Sequence, residues 1–439
     1  MGDPSEVTLI NPYISKKWRL PPLGLLYLAS FLEENGITVK VVDPLSQGNE
    51  DYTSDSNFTG ITCMSSQFKK VQEITKVVKD KNPETVTVLG GVHPTVAIEE
   101  AKSDSNVDVT IVGEGETALL KTVKEKIRKG TVAGETVQNL DQLPAPARHL
   151  IDMNWYLRRG GIVFPDWIRA TSVITSRGCP NSCHFCINSK NAMFGKKVRY
   201  HSAGYVENEV SELVSSYKTE GIFFVDDNFV QNSGRLLDIC QRIKHFDLKW
   251  TCLSRVDTLS KQLLEVMKQS GCVTVGFGVE SGSQRVLDGL NKNAKVESAI
   301  KAFDLCHDVG VKTWATIIIG SPEEQSEDIE MTNRLLQRIK PDYLEIFYLT
   351  PYKGTALYER AVEEGWIMRE NTGWLNDEPQ VEINFTLEEL VEIRKRLLSE
   401  HSHKWQWVGS NLRNPYFVYD ALMYLFTEPS ILRGWFNRN

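Results

Sequence analysis

Residues 172–186 read Ser-Val-Ile-Thr-Ser-Arg-Gly-Cys-Pro-Asn-Ser-Cys-His-Phe-Cys, an apolar segment that runs into three closely spaced cysteines. The segment at 173–175 is β-branched, which is typical of a buried strand, and the glycine and proline that follow predict a loop. Cys179, Cys183 and Cys186, here called the cysteine triplet, have the spacing Cys-x3-Cys-x2-Cys. The triplet is therefore expected in a loop directly after a strand.

The spacing of the triplet points to an iron–sulfur cluster. Three thiolates from one loop can hold three irons of a four-iron cubane and leave the fourth iron open to the amino and carboxylate groups of a substrate. A zinc site is one alternative, but it normally has four ligands and a paired Cys-x2-Cys. No second Cys/His pair follows at zinc-finger spacing. Free buried thiols are the other alternative.

Alternating strand and helix patterns surround the triplet and predict an α/β fold. In the second half, strands are expected at 173–175, 222–225, 249–253, 274–279, 313–319 and 343–349, with amphipathic helices between them. Six repeats are too few for the usual eightfold barrel. The pattern therefore predicts a partial, open (β/α)6 barrel over residues 172–366.

The N-terminal region predicts a separate sheet. Strands are expected at 7–10, 39–42, 60–63, 85–89 and 107–111, with helices at 21–35 and 67–81. This describes a five-stranded, doubly wound, flavodoxin-like domain over residues 1–140, and such sheets bind ligands outside the carboxyl ends of their strands. Residues 141–171 are predicted to be a linker because of the prolines near its start. Residues 367–439 are predicted to be a small helical region with a helix at 385–401 and an aromatic-rich tail.

Composition excludes several classes of protein. The chain has 439 residues and a net charge of −7, which argues against a nucleic-acid-binding protein. No secretory signal and no run of about 18 apolar residues is visible, so a transmembrane segment is not expected. Eight cysteines in this length suit a metal site in the reducing cytoplasm better than a disulfide scaffold. The aromatic tail is expected to pack on the barrel, with peripheral membrane contact as the alternative.

The triplet, with an aromatic residue before its third cysteine, resembles the radical S-adenosylmethionine (radical SAM) superfamily over about residues 172–364. The resemblance implies a [4Fe-4S] cluster on the triplet and SAM bound beside it. It also implies SAM contacts from residues at the ends of the later barrel strands: Asp226, Asp227, Arg255, Glu280, Ser281 and Gly320. Arg255 is expected to pair with the carboxylate of SAM.

The N-terminal domain resembles that of the cobalamin-binding subfamily, over about residues 7–120, through Asn-Pro-Tyr at 11–13, Gly-Gly-Val-His-Pro-Thr at 90–95 and Gly-Glu-Gly-Glu at 113–116. The implied cobalamin contacts are Asn11, Pro12, Ser65, Ser66, Gln67, Gly90, Gly91, His93, Thr95, Gly113, Glu114 and Glu116. No Asp-x-His-x-x-Gly loop is present, so His93 is expected to shape its loop rather than bind cobalt. No Gly-x-Gly-x-x-Gly follows the first strand, which disfavours a nicotinamide or flavin cofactor.

This resemblance implies a cobalamin-dependent C-methyltransferase. One SAM would methylate cobalamin to methylcobalamin, a second would give a radical at the cluster, and the methyl group would pass to an unactivated carbon. A peptide or protein acceptor is preferred, methyl-coenzyme M reductase being one example in the subfamily; a lipid or an antibiotic precursor is the alternative. A cyclase without methyl transfer is the runner-up. A methylthiotransferase and a non-catalytic sensor are disfavoured. An electron donor such as flavodoxin or ferredoxin is implied.

Overall fold

The computed structural model describes residues 5–12, 20–48, 50–157, 164, 168–190, 193–369 and 378–401. The predicted aromatic tail after residue 401 lies outside these residues. Within them, no helix has both the length and the apolar character needed to cross a membrane.

The N-terminal sheet has six parallel strands in the order β2-β1-β3-β4-β5-β6. The strands are β1 Val7–Ile10, β2 Val39–Val42, β3 Phe58–Thr62, β4 Val86–Gly90, β5 Val109–Val112 and β6 Gly130–Ala133. The helices are α1 Leu23–Glu34, α2 Pro44–Gln47, α3 Phe68–Lys81, α4 Val92–Val96, α5 Ile98–Lys102, α6 Gly115–Lys124 and α7 Met153–Leu157. The doubly wound fold class is confirmed, but the expected count of five strands is wrong. The sixth, β6, buries only Val132, which leaves little apolar signal in the sequence.

The segment predicted as a linker contributes to the N-terminal core. Ala147, Ile151 and Met153 are buried in the same cluster as the residues beneath the sheet. Tyr156 of α7 is 1% exposed, and its hydroxyl donates to a carboxylate oxygen of Asp43 at 2.8 Å. This segment therefore stabilises the N-terminal domain instead of only connecting it to the barrel.

The second sheet is the partial barrel, with six parallel strands in the order β14-β13-β12-β11-β10-β7. These strands are β7 Ala170–Val173, β10 Gly221–Phe224, β11 Lys249–Ser254, β12 Cys272–Glu280, β13 Lys312–Ile319 and β14 Tyr343–Tyr348. A separate antiparallel pair, β8 Ser176–Arg177 and β9 Arg199–Tyr200, brackets the cysteine loop. The helices are α8 Ala203–Tyr217, α9 Ser233–Ile243, α10 Lys261–Gln269, α11 Gln284–Gly289, α12 Val296–Val309, α13 Ser326–Ile339 and α14 Ala356–Glu363. The expected open six-stranded barrel is confirmed.

Helix α15, Leu387–His401, closes the described chain and packs on the barrel core through Leu390 and Leu397. Its N-terminus is closed by a capping box. The Glu389 N–H donates to the Thr386 hydroxyl at 3.2 Å, and the Thr386 N–H donates to the Glu389 carboxylate at 2.8 Å.

An apolar cluster fills the interior of the barrel at the amino-terminal ends of its strands. Phe164, Ala170, Phe223 and Trp314 are all buried there. The rings of Phe223 and Trp314, from β10 and β13, have their centroids 6.3 Å apart, so side chains of non-adjacent strands meet in this cluster. The open end of the barrel is the one at which the strands end and the cysteine loop begins.

Five other cysteines lie apart from the triplet. All eight cysteines are described and carry free thiols. Cys63 is in the N-terminal domain, and the remaining four are buried in the barrel core. Burial raises the pKa of the Cys240 thiol to about 11 and that of the Cys306 thiol to about 12, so both stay protonated at neutral pH.

Candidate active site

The cysteine loop begins at β8 and is held from below by Asp226. The Thr175 N–H and hydroxyl donate to Asp226 Oδ1 at 3.1 and 2.9 Å, and the Ser176 hydroxyl donates to the same oxygen. Burial raises the pKa of Asp226 to about 6, although the hydroxyl and N–H donors and the nearby Arg235 oppose the shift. Asp226 is completely buried. It therefore shapes the loop. The neighbouring Asp227 is the more exposed residue of the pair, and the Asn188 side-chain amide donates to its Oδ2 at 2.9 Å.

The triplet itself is suited to a cluster. The Cys186 N–H donates to the Cys183 carbonyl at 3.0 Å, which forms a tight turn between these two thiols. His184 is turned away, with its Nδ1 3.0 Å from the Gly289 carbonyl. Among the described residues, no three His, Cys, Asp or Glu side chains converge as ligands of a single ion. A cubane requires only one thiolate for each of three irons.

A buried cation, Lys292, lies beside the triplet. Its ammonium is 2.6 Å from Glu280 Oε1 and 5.8 Å from the ring centroid of Phe185, the residue just before Cys186. Burial raises the pKa of the Cys183 thiol, while the positive charges of Lys292 and Arg255 act in the opposite direction. Positive charge at this point favours the negatively charged thiolate form, which is the form that binds iron. Lys292 is not among the SAM contacts predicted from the sequence, since a single lysine after a helix has no pattern that indicates a binding site.

Glu280 is placed by an unusual backbone. It has φ +64 at the end of β12, a conformation that costs a non-glycine residue on the order of 1–3 kcal/mol. The Gly278 Cα is so close that an added Cβ would lie 2.4 Å from Glu280 Oε1 and 2.7 Å from Lys292 Nζ. Such strain persists only where the surroundings impose it. The arrangement directs the Glu280–Lys292 pair towards the cysteine loop.

The other predicted SAM residues have protein partners. Arg255 makes a bidentate pair with Asp257, at 3.0 and 2.9 Å, and donates to the carbonyls of Lys292 and Asn293. Its fork is thus used within the protein, so it supports the Lys292 segment. Ser281 is buried and accepts from the Ser283 N–H at 3.1 Å. Gly320 has φ +87 and donates its N–H to Glu324.

A cavity of about 250 Å³ lies at the carboxyl ends of the N-terminal strands. Its wall includes five of the predicted cobalamin residues: Gly90, Gly91, Gly113, Glu114 and Glu116. The opposite wall comes from residues around the triplet: Ile174, Arg177, Met193 and Phe194. The apolar side chains and glycines of the wall formed by the N-terminal domain suit the flat face of a corrin ring, because glycine lets the backbone approach closely.

The remaining predicted cobalamin residues lie outside the cavity wall and support its loops. The Asn11 amide donates to Asp43 at 2.9 Å, and Gln67 joins the Met64 N–H to the Pro12 carbonyl at 2.9 and 3.1 Å. Thr95 joins the Gly91 carbonyl to the Gly113 N–H at 2.8 and 3.0 Å.

His93 also lies behind the cavity wall. It is 1% exposed, and its Nδ1 is 3.3 Å from the Ser65 hydroxyl. Ser66 is half-buried in the same loop. The residue of this loop that lines the cavity is Met64, which is 40% exposed. Tyr27 of α1 also lines it, and neither residue is among the cobalamin contacts predicted from the sequence.

Comparison with known proteins agrees with this two-part site. Residues 173–336 match the radical SAM superfamily, and residues 16–122 match the B12 binding domain. The chain is 32% identical over 409 residues to an uncharacterized methyltransferase of Pyrococcus horikoshii, with 86% of each chain covered. It is 25% identical to the anaerobic magnesium-protoporphyrin IX monomethyl ester cyclase of Rubrivivax gelatinosus, over 79% of this chain and 67% of the relative.

The fold is also that of a solved structure. The cobalamin-dependent S-adenosylmethionine radical enzyme OxsB, with aqua-cobalamin and S-adenosylmethionine bound, superposes with a TM-score of 0.72 at 17% identity, covering 98% of this chain and 72% of that one. The cofactors of the protein are thus a [4Fe-4S] cluster, SAM and cobalamin. The chain belongs to the cobalamin-dependent radical S-adenosylmethionine methyltransferase family.

Proposed function

We propose that the protein transfers a methyl group from SAM, by way of cobalamin, to an unactivated carbon of an acceptor bound between its two sheets. The observation that carries the proposal is the shared cavity, whose walls come from the strand ends of one domain and from residues around the cysteine triplet of the other. When bound, the cluster supplies reductive cleavage of SAM and cobalamin carries the methyl group. The protein binds, orients and excludes water.

The cysteine triplet is proposed to hold the cluster, and the pair Glu280–Lys292 with Asp227 is proposed to orient SAM. Glu280 ends β12, Asp227 follows β10 and Lys292 follows α11, and together they offer one cation and two carboxylates to the amino and carboxylate ends of SAM. Asp226, Arg255, Ser281 and Gly320 are proposed to act through the backbone that they hold, because their hydrogen bonds involve main-chain groups of the loops. Glu280, Lys292 and Asp227 instead contact side chains, which SAM would replace.

Cobalamin is proposed to lie against Gly90, Gly91 and Gly113, with Met64 beside it. The hydrogen bonds of Gln67, Thr95 and His93 keep these loops in place, which is the role proposed for them. Holding a ligand-facing loop by second-layer hydrogen bonds is a common way of fixing its geometry.

We propose a carbon of a peptide or protein, such as methyl-coenzyme M reductase, as the acceptor. The observation that supports this acceptor class is the place of the cavity, which lies between the two domains and is lined by Arg177 and Phe194 on one side and by Glu114 on the other. An external one-electron donor, flavodoxin or ferredoxin, is proposed to reduce the cluster.

The test is anaerobic reconstitution with iron, sulfide and cobalamin, followed by incubation with methyl-deuterated SAM, a strong reductant and candidate acceptors. Transfer of a deuterated methyl group to carbon, with formation of 5′-deoxyadenosine, is the expected result. Substitution of the triplet by alanine should abolish both products, whereas Cys240→Ala, a buried cysteine of the barrel core, should retain them. A change of acceptor mass without a deuterated methyl group would indicate a cyclase and refute the proposal; lipid and antibiotic-precursor acceptors are compared in the same assay.

A further inference from the structure

Two arginines face each other in the short antiparallel strand pair that brackets the cysteine loop. In the antiparallel pair of β8 and β9, Arg177 is directly opposite Arg199. Both are buried, with 9% and 4% of their surface exposed. Like charges at directly opposed positions destabilise a strand pair, and burial increases the cost of each charge. The stability of this strand pair therefore depends on a partner of opposite charge.

That partner is supplied by the N-terminal domain. Arg177 donates to Glu114 Oε2 at 3.0 Å and to Glu116 Oε1 at 2.6 Å. Arg199 donates to both oxygens of Glu114, with Nη1 3.1 Å from Oε2. The carboxylates of Glu116 and Glu114 outweigh burial and raise the pKa of Arg177. Two cations and two anions thus form one buried, neutral group, here called the interdomain charge network.

The network lies between the two cofactor regions. Arg177 precedes the first cysteine of the triplet by two residues, and both it and the two glutamates line the cavity. The Arg177 guanidinium lies 5.8 Å from the Tyr27 ring of one domain and 6.0 Å from the Phe194 ring of the other. A displacement of the glutamates would therefore move the start of the cysteine loop.

We propose that the interdomain charge network is a positioning device that sets the distance between the cysteine triplet and cobalamin. The proposal rests on the proposed function, since it assumes that both cofactors are loaded. Arginine is required at position 177 because one planar guanidinium spans two carboxylates, which a single ammonium does not. Glu114 and Glu116, predicted from sequence to contact cobalamin, act here through the two arginines.

The test measures the distance directly and needs no acceptor. The protein is reconstituted with iron, sulfide and hydroxocobalamin and reduced so that cluster and cobalt(II) are both paramagnetic. Pulsed dipolar electron paramagnetic resonance then gives their separation. Wild type should show one narrow distance. Arg177→Lys, which keeps the charge but loses the fork, and Glu116→Gln should each give a broader distribution with a shifted mean. The dipolar signal arises only from molecules that hold both cofactors, so the distance is measured independently of how much cofactor each variant retains.

The matched control is Arg338→Lys, which removes an equivalent bidentate pair with Asp304 on the barrel surface, at 2.9 and 2.7 Å, and should leave the distribution narrow. Should Arg177→Lys fail to fold, Glu116→Gln decides. A distribution identical to wild type in the folded variants would overturn the positioning role while leaving the proposed function intact. A wild-type protein that retains no cluster or no cobalamin would instead refute the proposed function itself.

Discussion

Glu324 is a carboxyl group whose charge opposes folding. Its side chain is completely buried beneath the loop at Gly320, and its Oε2 accepts from the Gly320 N–H at 2.6 Å and the Ser321 N–H at 3.4 Å. Burial raises its pKa from 4.5 to about 8; the two N–H donors oppose the shift and the neighbouring Asp328 carboxylate adds to it. The carboxyl is therefore largely protonated in the folded protein at neutral pH.

The size and sign of the effect follow from linkage. Below pH 4.5 both states hold the proton, and above about pH 8 neither does. Between these values the unfolded chain alone loses it, so folded stability falls as pH rises, by about 1.4 kcal/mol per pH unit. The two pKa values differ by about 3.5, which corresponds to about 5 kcal/mol at alkaline pH. Glu324→Gln removes the ionisation and should lose this dependence.

The assay is urea unfolding of wild type and Glu324→Gln under anaerobic conditions, at unit pH steps from about 5 to about 9. The free energy of unfolding of Glu324→Gln, relative to that of wild type, should increase as pH rises and level off near pH 8. If the amide N–H of the new glutamine finds no acceptor, the free energy of unfolding of the variant falls by about 1–3 kcal/mol at every pH. The difference between variant and wild type then keeps the same dependence on pH. Glu323→Gln, which removes a partly exposed pair with Arg360 at 2.8 Å, controls for the loss of one negative charge from the same loop. A difference independent of pH would refute the reasoning.

Three further predictions concern the two cofactor regions and the core. Alanine at all three positions of the triplet should abolish the brown absorbance and 5′-deoxyadenosine formation but preserve cobalamin retention, as checked by gel filtration and absorbance; loss of cobalamin would contradict the separation of the sites. Gly91→Ala should weaken cobalamin retention, because Gly91 has φ +108 and an added Cβ would lie 2.9 Å from the Cys63 carbonyl oxygen; unchanged binding by fluorescence titration would count against it. Glu209→Gln should lower the free energy of unfolding by about 3–5 kcal/mol in urea titration, since it removes one partner of a buried ion pair with Arg148; a loss below about 1 kcal/mol would resemble a surface pair instead.

Most of the parallel strands could be predicted from sequence because they form short apolar runs, and β1, β7 and β10 are buried along their whole length. Both β2 and the strand at 7–10 have the predicted bounds. Strand β6 and the pair β8–β9 were missed for the same physical reason. They are short, and they are defined by pairing rather than by apolar burial, so their own residues carry little periodic signal.

The candidate site was predictable where chemistry depends on local spacing, as in the triplet. It was not predictable where contacts join distant segments. Arg177 and Glu114 are 63 positions apart, and their pairing depends on how the two domains dock. Likewise, a strand-end acid such as Asp226 has the same sequence signature whether it faces a ligand or caps a loop, and burial alone distinguishes the two.

The separation of the eight cysteines has a consequence for counting iron. During reconstitution, added iron and sulfide meet thiols only where solvent reaches them and the thiolate forms readily. Four of the other cysteines are sealed in the barrel core, and Cys63 is buried with its pKa raised far above neutrality by burial and by Glu100. Of the eight cysteine thiols, those of the triplet are then the ones that added iron can reach in the folded chain, so iron bound through thiolates reports occupancy of the triplet.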